Sequence, residues 1–309
     1  MFVSAIFPDQ PTTSHSLKVV KKISQGKFSV YHTQCPTQRT EYALKVFPKD
    51  NFGTTQYNKE TIMFSFSHPN IIKHIPATIS NGNEDRFSTI LTEFAKYGDV
   101  FDMVVGNVFS SEILIRTYFH QIVAGLEYMH NQGVAHLDLK LENLMMGSGF
   151  SLKIIDFDQA QRTKDKKITS GGTEGFRAPE VIDGSCANFT AADIYSLGVI
   201  LFAFKGQSTP FAEVTTQSAD GKQNTSLKYY SSFIRNNQSF WEMKTAQKRD
   251  PTFFSEDFKE LVNGMLQYDV CKRFTLEDIK KSKWFNGPIL SEEKLRTEMR
   301  ARWEIFQRK

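Results

Sequence analysis

The chain has 309 residues, 40% hydrophobic, 23% charged and 13% aromatic, enough apolar material for one large domain or two lobes and too much for a disordered chain. Thirty-eight Lys and Arg against 34 Asp and Glu leave a net charge of +4, too small a surplus to make nucleic acid or a membrane surface the main partner. Cys35, Cys186 and Cys271 lie far apart with no CxxC pair, which excludes a disulfide framework and a local zinc knuckle and sets a reducing compartment, cytoplasmic or nuclear, as the expectation.

The opening MFVSAIFPDQ has no basic segment and its apolar run stops at Pro8. No window reaches the roughly 20 apolar residues of a membrane span, so no membrane is expected. Strand-like runs follow at 17–23, 42–46, 71–75 and 89–93, with one helical stretch at 59–66. Tyr97, Gly98 and Asp99 mark a junction. Beyond it Ile113, Ile115, Tyr118, Phe119, Ile122, Leu126 and Met129 recur at helical steps across 111–131, and helices are expected at 193–204, 256–266 and 276–281. The polar stretch 213–226, with Gly221 and Asn224, reads as an exposed insert between helices.

Chemistry concentrates between His136 and Asp158. HLDLKLEN places Asp138, Lys140 and Asn143 in one loop after the long helix, and the apolar run 152–155 reads as a buried strand that delivers Asp156 and Phe157 at its end. Phosphoryl transfer needs a carboxylate to accept the proton of the attacking hydroxyl, oxygen ligands for a divalent metal, and cations for the phosphate oxygens. These residues supply all three. Any one aspartate alone would be a cap or turn residue; the joint pattern is not explained that way.

YALKVF around Lys45, HLDLKLEN, GTEGFRAPE ending at Ala178, Pro179 and Glu180, DIYSLGVILF with Asp193, and DVCKRFT with Arg273 occur in an order and spacing that resemble the eukaryotic protein kinases of serine/threonine type. The pattern is most like the calcium/calmodulin-dependent kinase-like group. The resemblance implies an α+β bilobal fold over residues 17–285. An antiparallel sheet with one helix would form the N-lobe (about 17–95) and helices the C-lobe (about 96–285), with 1–16 an N-terminal extension and 286–309 a C-terminal amphipathic helix. It implies ATP and Mg2+ as cofactors, protein substrates and phosphorylation of serine or threonine; the alternative is a pseudokinase acting as a nucleotide-binding scaffold. By resemblance Asp138 is the base, Lys140 steadies the transferred phosphate, Thr173 bonds both, and Asn143 and Asp156 hold the metal. Ile23, Gly26, Val30, Ala43, Lys45, Glu60, Thr92, Glu93, Ala95, Asp99 and Met145 belong to the ATP site. Within that set Lys45 holds the phosphates, Glu60 is the candidate partner of Lys45, and Val30 is favoured over Tyr31 as the adenine roof. Thr92 is the gatekeeper, and Ala95 offers its backbone to adenine. Asp99 and Glu142 are expected to receive a substrate arginine, although Asp99 can equally cap the helix after it.

Three departures stand out. Only Gly26 remains of the glycine-loop pattern, with Ser24 and Ser29 at the other places; Asp158 replaces the glycine after Asp-Phe and is expected to restrict that segment; and Leu137 replaces the arginine that pairs with an activation-loop phosphate on Thr163, Thr169 or Ser170. Phe64, Phe157 and His136 are expected in a stacked apolar spine. In the tail, Leu295, Met299, Trp303 and Phe306 share one helical stripe. That stripe suits either a regulatory partner or, preferably, docking onto the chain's own C-lobe.

Overall fold

Period-two alternation governs the first third of the chain. The computed structural model describes residues 2–9, 14–24, 27–80, 86–165, 168, 171–217 and 223–308. It divides into two units, Met1–Gly98 with Met145–Ala160, and Asp99–Leu144 with Gln161–Lys309. In the first, β1 (Phe2–Ile6), β2 (Ser14–Ser24), β3 (Ser29–Cys35), β4 (Thr40–Pro48), β5 (Thr78–Ser80) and β6 (Phe87–Glu93) form a six-stranded sheet in the order β5-β1-β2-β3-β4-β6. The segment leading into β5 also bonds the opposite edge, with Ile75 N–H donating to the Leu91 carbonyl at 2.8 Å and His74 paired with Thr92 of β6. One segment thus joins both edges and closes the sheet into a barrel. Its interior holds Val3, Ala5, Phe7, Leu17, Cys35, Tyr42, Leu44 and Leu91, and each large aliphatic side chain so buried contributes about 1.5–3 kcal/mol.

The barrel corrects the reading of residues 1–16 as an extension, because Val3 and Ala5 fill its core and β1 pairs with both β2 and β5. The run 71–75 is likewise no regular strand; it pairs through the isolated bridges Ile71 to Ile154 and His74 to Thr92 instead of a continuous ladder. Helix α1 (Asn51–Glu60) starts earlier than the expected 59–66, which is mostly a 3-10 turn, Thr61–Ser65. Residues 51–58 carry no apolar stripe to announce a helix. The start is set by Asp50, whose carboxylate accepts from Gly53 N–H at 2.6 Å, and by Gly53, where a Cβ would stand 2.1 Å from the Pro48 carbonyl oxygen. Phe28, Phe47, Phe52 and Tyr57 pack together where α1 covers β4.

The second unit is helical: α2 (Val100–Val105), α3 (Glu112–Asn131), α4 (Pro179–Ile182), α5 (Phe189–Gly206), α6 (Tyr230–Arg235), α7 (Asn237–Ala246), α8 (Glu256–Met265), α9 (Leu276–Lys281) and α10 (Glu292–Phe306). Helix α5 is apolar on all sides and long enough to pass for a membrane span by composition, but 89% of it is buried inside the unit, as befits a central core helix. The expected insert at 213–226 is a hairpin, Ala212–Gln217 paired with Gln223–Lys228; Gly221 lies outside the described residues. In α10, Leu295 and Met299 are buried, the Phe306 ring lies where a Cβ on Gly106 would sit, and Arg302 donates to the Val108 carbonyl at 2.9 Å. The tail stripe thus packs on the chain's own helical unit, the preferred of its two readings.

Candidate active site

In the helical unit the geometry is built on Asp193. Its fully buried carboxylate accepts from the backbone N–H groups of His136 and Leu137, each at 2.8 Å, and from the His130 ring at 2.8 Å. This fixes the loop so that Asp138, one residue on, gathers its own donors. Asp138 Oδ1 accepts from the Thr173 hydroxyl at 2.6 Å, and Oδ2 from Lys140 Nζ at 2.9 Å and Asn143 Nδ2 at 3.1 Å. Lys140 Nζ also donates to Thr173 Oγ1 at 2.7 Å, so Thr173 spends its single proton on Asp138 and a lone pair on Lys140. The three side chains hold one another in one arrangement. Asn143 Nδ2 donates a second time, to the Asp138 carbonyl at 2.8 Å, which leaves its amide oxygen to bind a cation. Glu142 is exposed on the 3-10 turn Leu141–Asn143, against which α2 packs. Asp99 caps α2, accepting from Asp102 N–H at 2.9 Å, so the capping role read as its alternative is the one its carboxylate performs.

In the barrel unit, strand register places the remaining residues. Directly opposed residues share a face, and β4 opposes Lys45 to Val30 of β3 and Ala43 to Thr92 of β6. Val30, Ala43, Lys45 and Thr92 therefore lie on one side, whereas Tyr31 packs against the barrel core. Ile23 falls in a bulge between Lys22 and Ser24 and is 38% exposed. Lys45 Nζ donates to Glu60 Oε2 at 2.6 Å and to Asp156 Oδ1 at 2.8 Å. Burial alone would lower its pKa, but Glu60 and Asp156 outweigh burial and raise it. Burial pushes the Glu60 carboxyl up to about 7 against the pull of Lys45. Glu93 accepts from Lys73 N–H and pairs with Lys153 at 2.8 Å; Ala95 is buried, its carbonyl accepting from Gly98 N–H at 3.5 Å. Met145 lies in the strand Leu144–Met146, which bonds Tyr97 and Gly98. Gly26 lies outside the described residues.

Residues 17–285 match the family model for the protein kinase domain. The chain belongs to the protein kinase family. Among curated relatives, CBL-interacting protein kinase 11 of Oryza sativa subsp. japonica is 29% identical over 283 residues, covering 88% of this chain and 52% of the relative. Serine/threonine-protein kinase SIK1 of Mus musculus is 30% identical over 276 residues, covering 87% of this chain and 32% of the relative. Serine/threonine-protein kinase SIK2 of Gallus gallus has the same figures, 30% over 276 residues. The chain spans about half the length of the first relative and a third of the others. These relatives agree with the serine/threonine, calmodulin-dependent-like pattern read from the motifs.

Against the kinase pattern, two departures change meaning in the structure. Asp158 does not carry a positive φ; the left-handed residue is Asp156, at φ 63°. The Cβ at position 158 therefore meets no backbone penalty in this conformation. Asp158 is buried, and burial followed by the nearby Asp156 carboxylate raises its pKa. Leu137 is buried at φ 61°, an uncommon conformation for a leucine, maintained by its bond to Asp193. Phe157 is fully buried edge-on to Phe66, not Phe64, which is 39% exposed and stacks on His74; the 3-10 turn rotates Phe64 outward. Sequence reasoning missed Glu213. It reads as one polar residue of an insert, and no local motif marks it, yet its side chain is fully buried against Arg177.

Proposed function

We propose that this kinase-family chain transfers the γ-phosphoryl group of ATP to serine or threonine hydroxyls of proteins. The observation that carries this is the mutual lock of Asp138, Lys140, Thr173 and Asn143. Asp138 orients the substrate hydroxyl and takes its proton as the oxygen–phosphorus bond forms. The bond from the γ-phosphorus to ADP breaks, and ADP leaves with that electron pair. Lys140 places positive charge by the transferred group, and Lys45, preset by Glu60 and Asp156, holds the α- and β-phosphates. Val30, Ala43, Thr92, Ala95 and Met145 supply the adenine slot.

Each unit carries a hard oxygen ligand of the kind Mg2+ takes, the Asp156 carboxylate in the barrel unit and the Asn143 amide oxygen in the helical unit. An ion held by so few protein ligands keeps water and phosphate oxygens in its shell. When bound, Mg2+ offsets the phosphate charge.

Exposed Glu142 beside α2 supports a preference for one arginine upstream of the phosphorylated residue, with Asp99 contributing beyond its capping role; charge-assisted bonds of this kind are worth about 1.5–3 kcal/mol when desolvated. The test is Mg2+·ATP phosphorylation of a degenerate peptide library by the wild type, Asp138→Ala and Lys45→Met. Turnover lost in both variants, with arginine selected upstream and the selection flattened in Glu142→Ala, supports the reading. Nucleotide binding without wild-type turnover makes the chain a scaffold, and selection of proline or acidic residues removes the substrate preference.

A further inference from the structure

We propose that Glu213 is a positioning residue for Asp138: with Arg177 it clamps the segment 171–177, which holds Thr173 against the carboxylate. Its catalytic consequence rests on the kinase reading; its geometry does not. Glu213 stands near the base of the hairpin, opposite Leu227. Its fully buried carboxylate accepts Arg177 Nη2 at 2.6 Å, Arg177 Nε at 3.0 Å on both oxygens, and the Gly175 N–H at 2.8 Å. Arg177 Nη1 reaches back to the Gly171 carbonyl at 3.2 Å, and its backbone N–H donates to the Thr173 carbonyl at 3.2 Å. Ser196 of the core helix α5 fixes the Phe176 carbonyl at 2.9 Å.

The segment is thus tied at 171, 173, 175 and 176, on both sides of the hydroxyl that bonds Asp138 and Lys140. A planar guanidinium gripped in a fork by a buried carboxylate has little rotational freedom. Position 137, next to Asp138, is a buried leucine and offers no cation to an added phosphate. The ordering charge on this segment is instead a carboxylate of the chain itself, supplied by the hairpin between α5 and α6.

The experiment combines kinetics with hydrogen exchange on the full chain. Glu213→Gln keeps the shape and removes the charge; Arg177→Lys keeps the charge and removes the fork. Each is expected to lower peptide kcat at least about tenfold with the KM for ATP within about twofold, and Glu213→Gln added to Thr173→Ala is expected to cost under about twofold more, because the link is already cut. Exchange of the 171–177 amides should quicken at least about tenfold in both variants while α5 amides keep their rates. Equal losses from Glu213→Gln in the two backgrounds, or unchanged exchange at 171–177, would overturn the proposal. Faster exchange with no peptide turnover by the wild type sustains the clamp and removes the kinase reading instead.

Discussion

Replacing Asp193 with asparagine measures what holds the catalytic loop. Three N–H donors, from His136, Leu137 and His130, converge at 2.8 Å on one buried carboxylate. Asparagine keeps one oxygen and turns an NH2 group toward a position already held by a donor. At least one N–H is then buried without an acceptor, and the other bonds lose their charge assistance. At about 1.5–3 kcal/mol for each bond to a charged group, losing the equivalent of two of them costs about 3–6 kcal/mol. Leu137 sharpens the effect on the loop, since a non-glycine residue at φ 61° stores about 1–3 kcal/mol of strain that its bond to Asp193 holds in place and that drives the loop away once the bond is gone. For a unit of about 200 residues, each kcal/mol moves the midpoint roughly 2–4 °C, so Tm should fall by about 6–24 °C. Differential scanning calorimetry reads the midpoint, and peptide phosphorylation reads the loop: kcat should drop at least about 100-fold because Asp138 adjoins the released Leu137. A midpoint within about 3 °C of wild type, with kcat within about threefold, would refute the claim that this carboxylate holds the loop.

Arg273, fully buried, forks onto Glu180 and also donates to the Ala191 and Gln267 carbonyls. Arg273→Met should cost about 3–5 kcal/mol in denaturant unfolding, and adding Glu180→Met should recover more than half; no recovery would show that the unpaired carboxylate is not the cause. The Glu60 carboxyl, raised from its usual 4.5 to about 7, binds its proton more tightly in the folded state. Folding stability should therefore fall as pH rises from about 4.5 to 7, by up to about 3 kcal/mol, and Glu60→Gln should remove that slope. Thr92→Met, on the face shared with Ala43 and Lys45, should exclude adenine-site inhibitors that carry a bulky group beside Thr92; equal affinity for both proteins would remove the gatekeeper assignment. Phosphatase treatment should change kcat less than about tenfold, because no arginine adjoins Asp138, and a larger loss restored by rephosphorylation of Thr163, Thr169 or Ser170 would contradict this; Thr169 and Ser170 lie outside the described residues.

The helices with strong apolar periodicity were legible in sequence because their signal is local. The stripe from Ile113 to Met129 predicts α3, and α9 occupies the expected 276–281. HLDLKLEN was legible for the same reason: Asp138, Lys140 and Asn143 occupy one short loop, and chain connectivity alone keeps them near each other. Tertiary structure decided what depends on partners distant in sequence. Whether Val30 or Tyr31 shares the Lys45 face is a matter of strand register, where a slip of one residue exchanges the two faces. Whether residues 2–6 stand outside the domain or complete its barrel depends on pairing with residues 78–80, and no pattern within either segment names the other. Glu60 became the partner of Lys45 once α1 packed across β4, and Phe66 replaced Phe64 against Phe157 because a 3-10 turn carries a different angular step from an α-helix. Glu213 is the extreme case. A buried carboxylate 36 residues from its guanidinium leaves no periodic or motif signal, since its meaning lies in the desolvated pair that the fold creates.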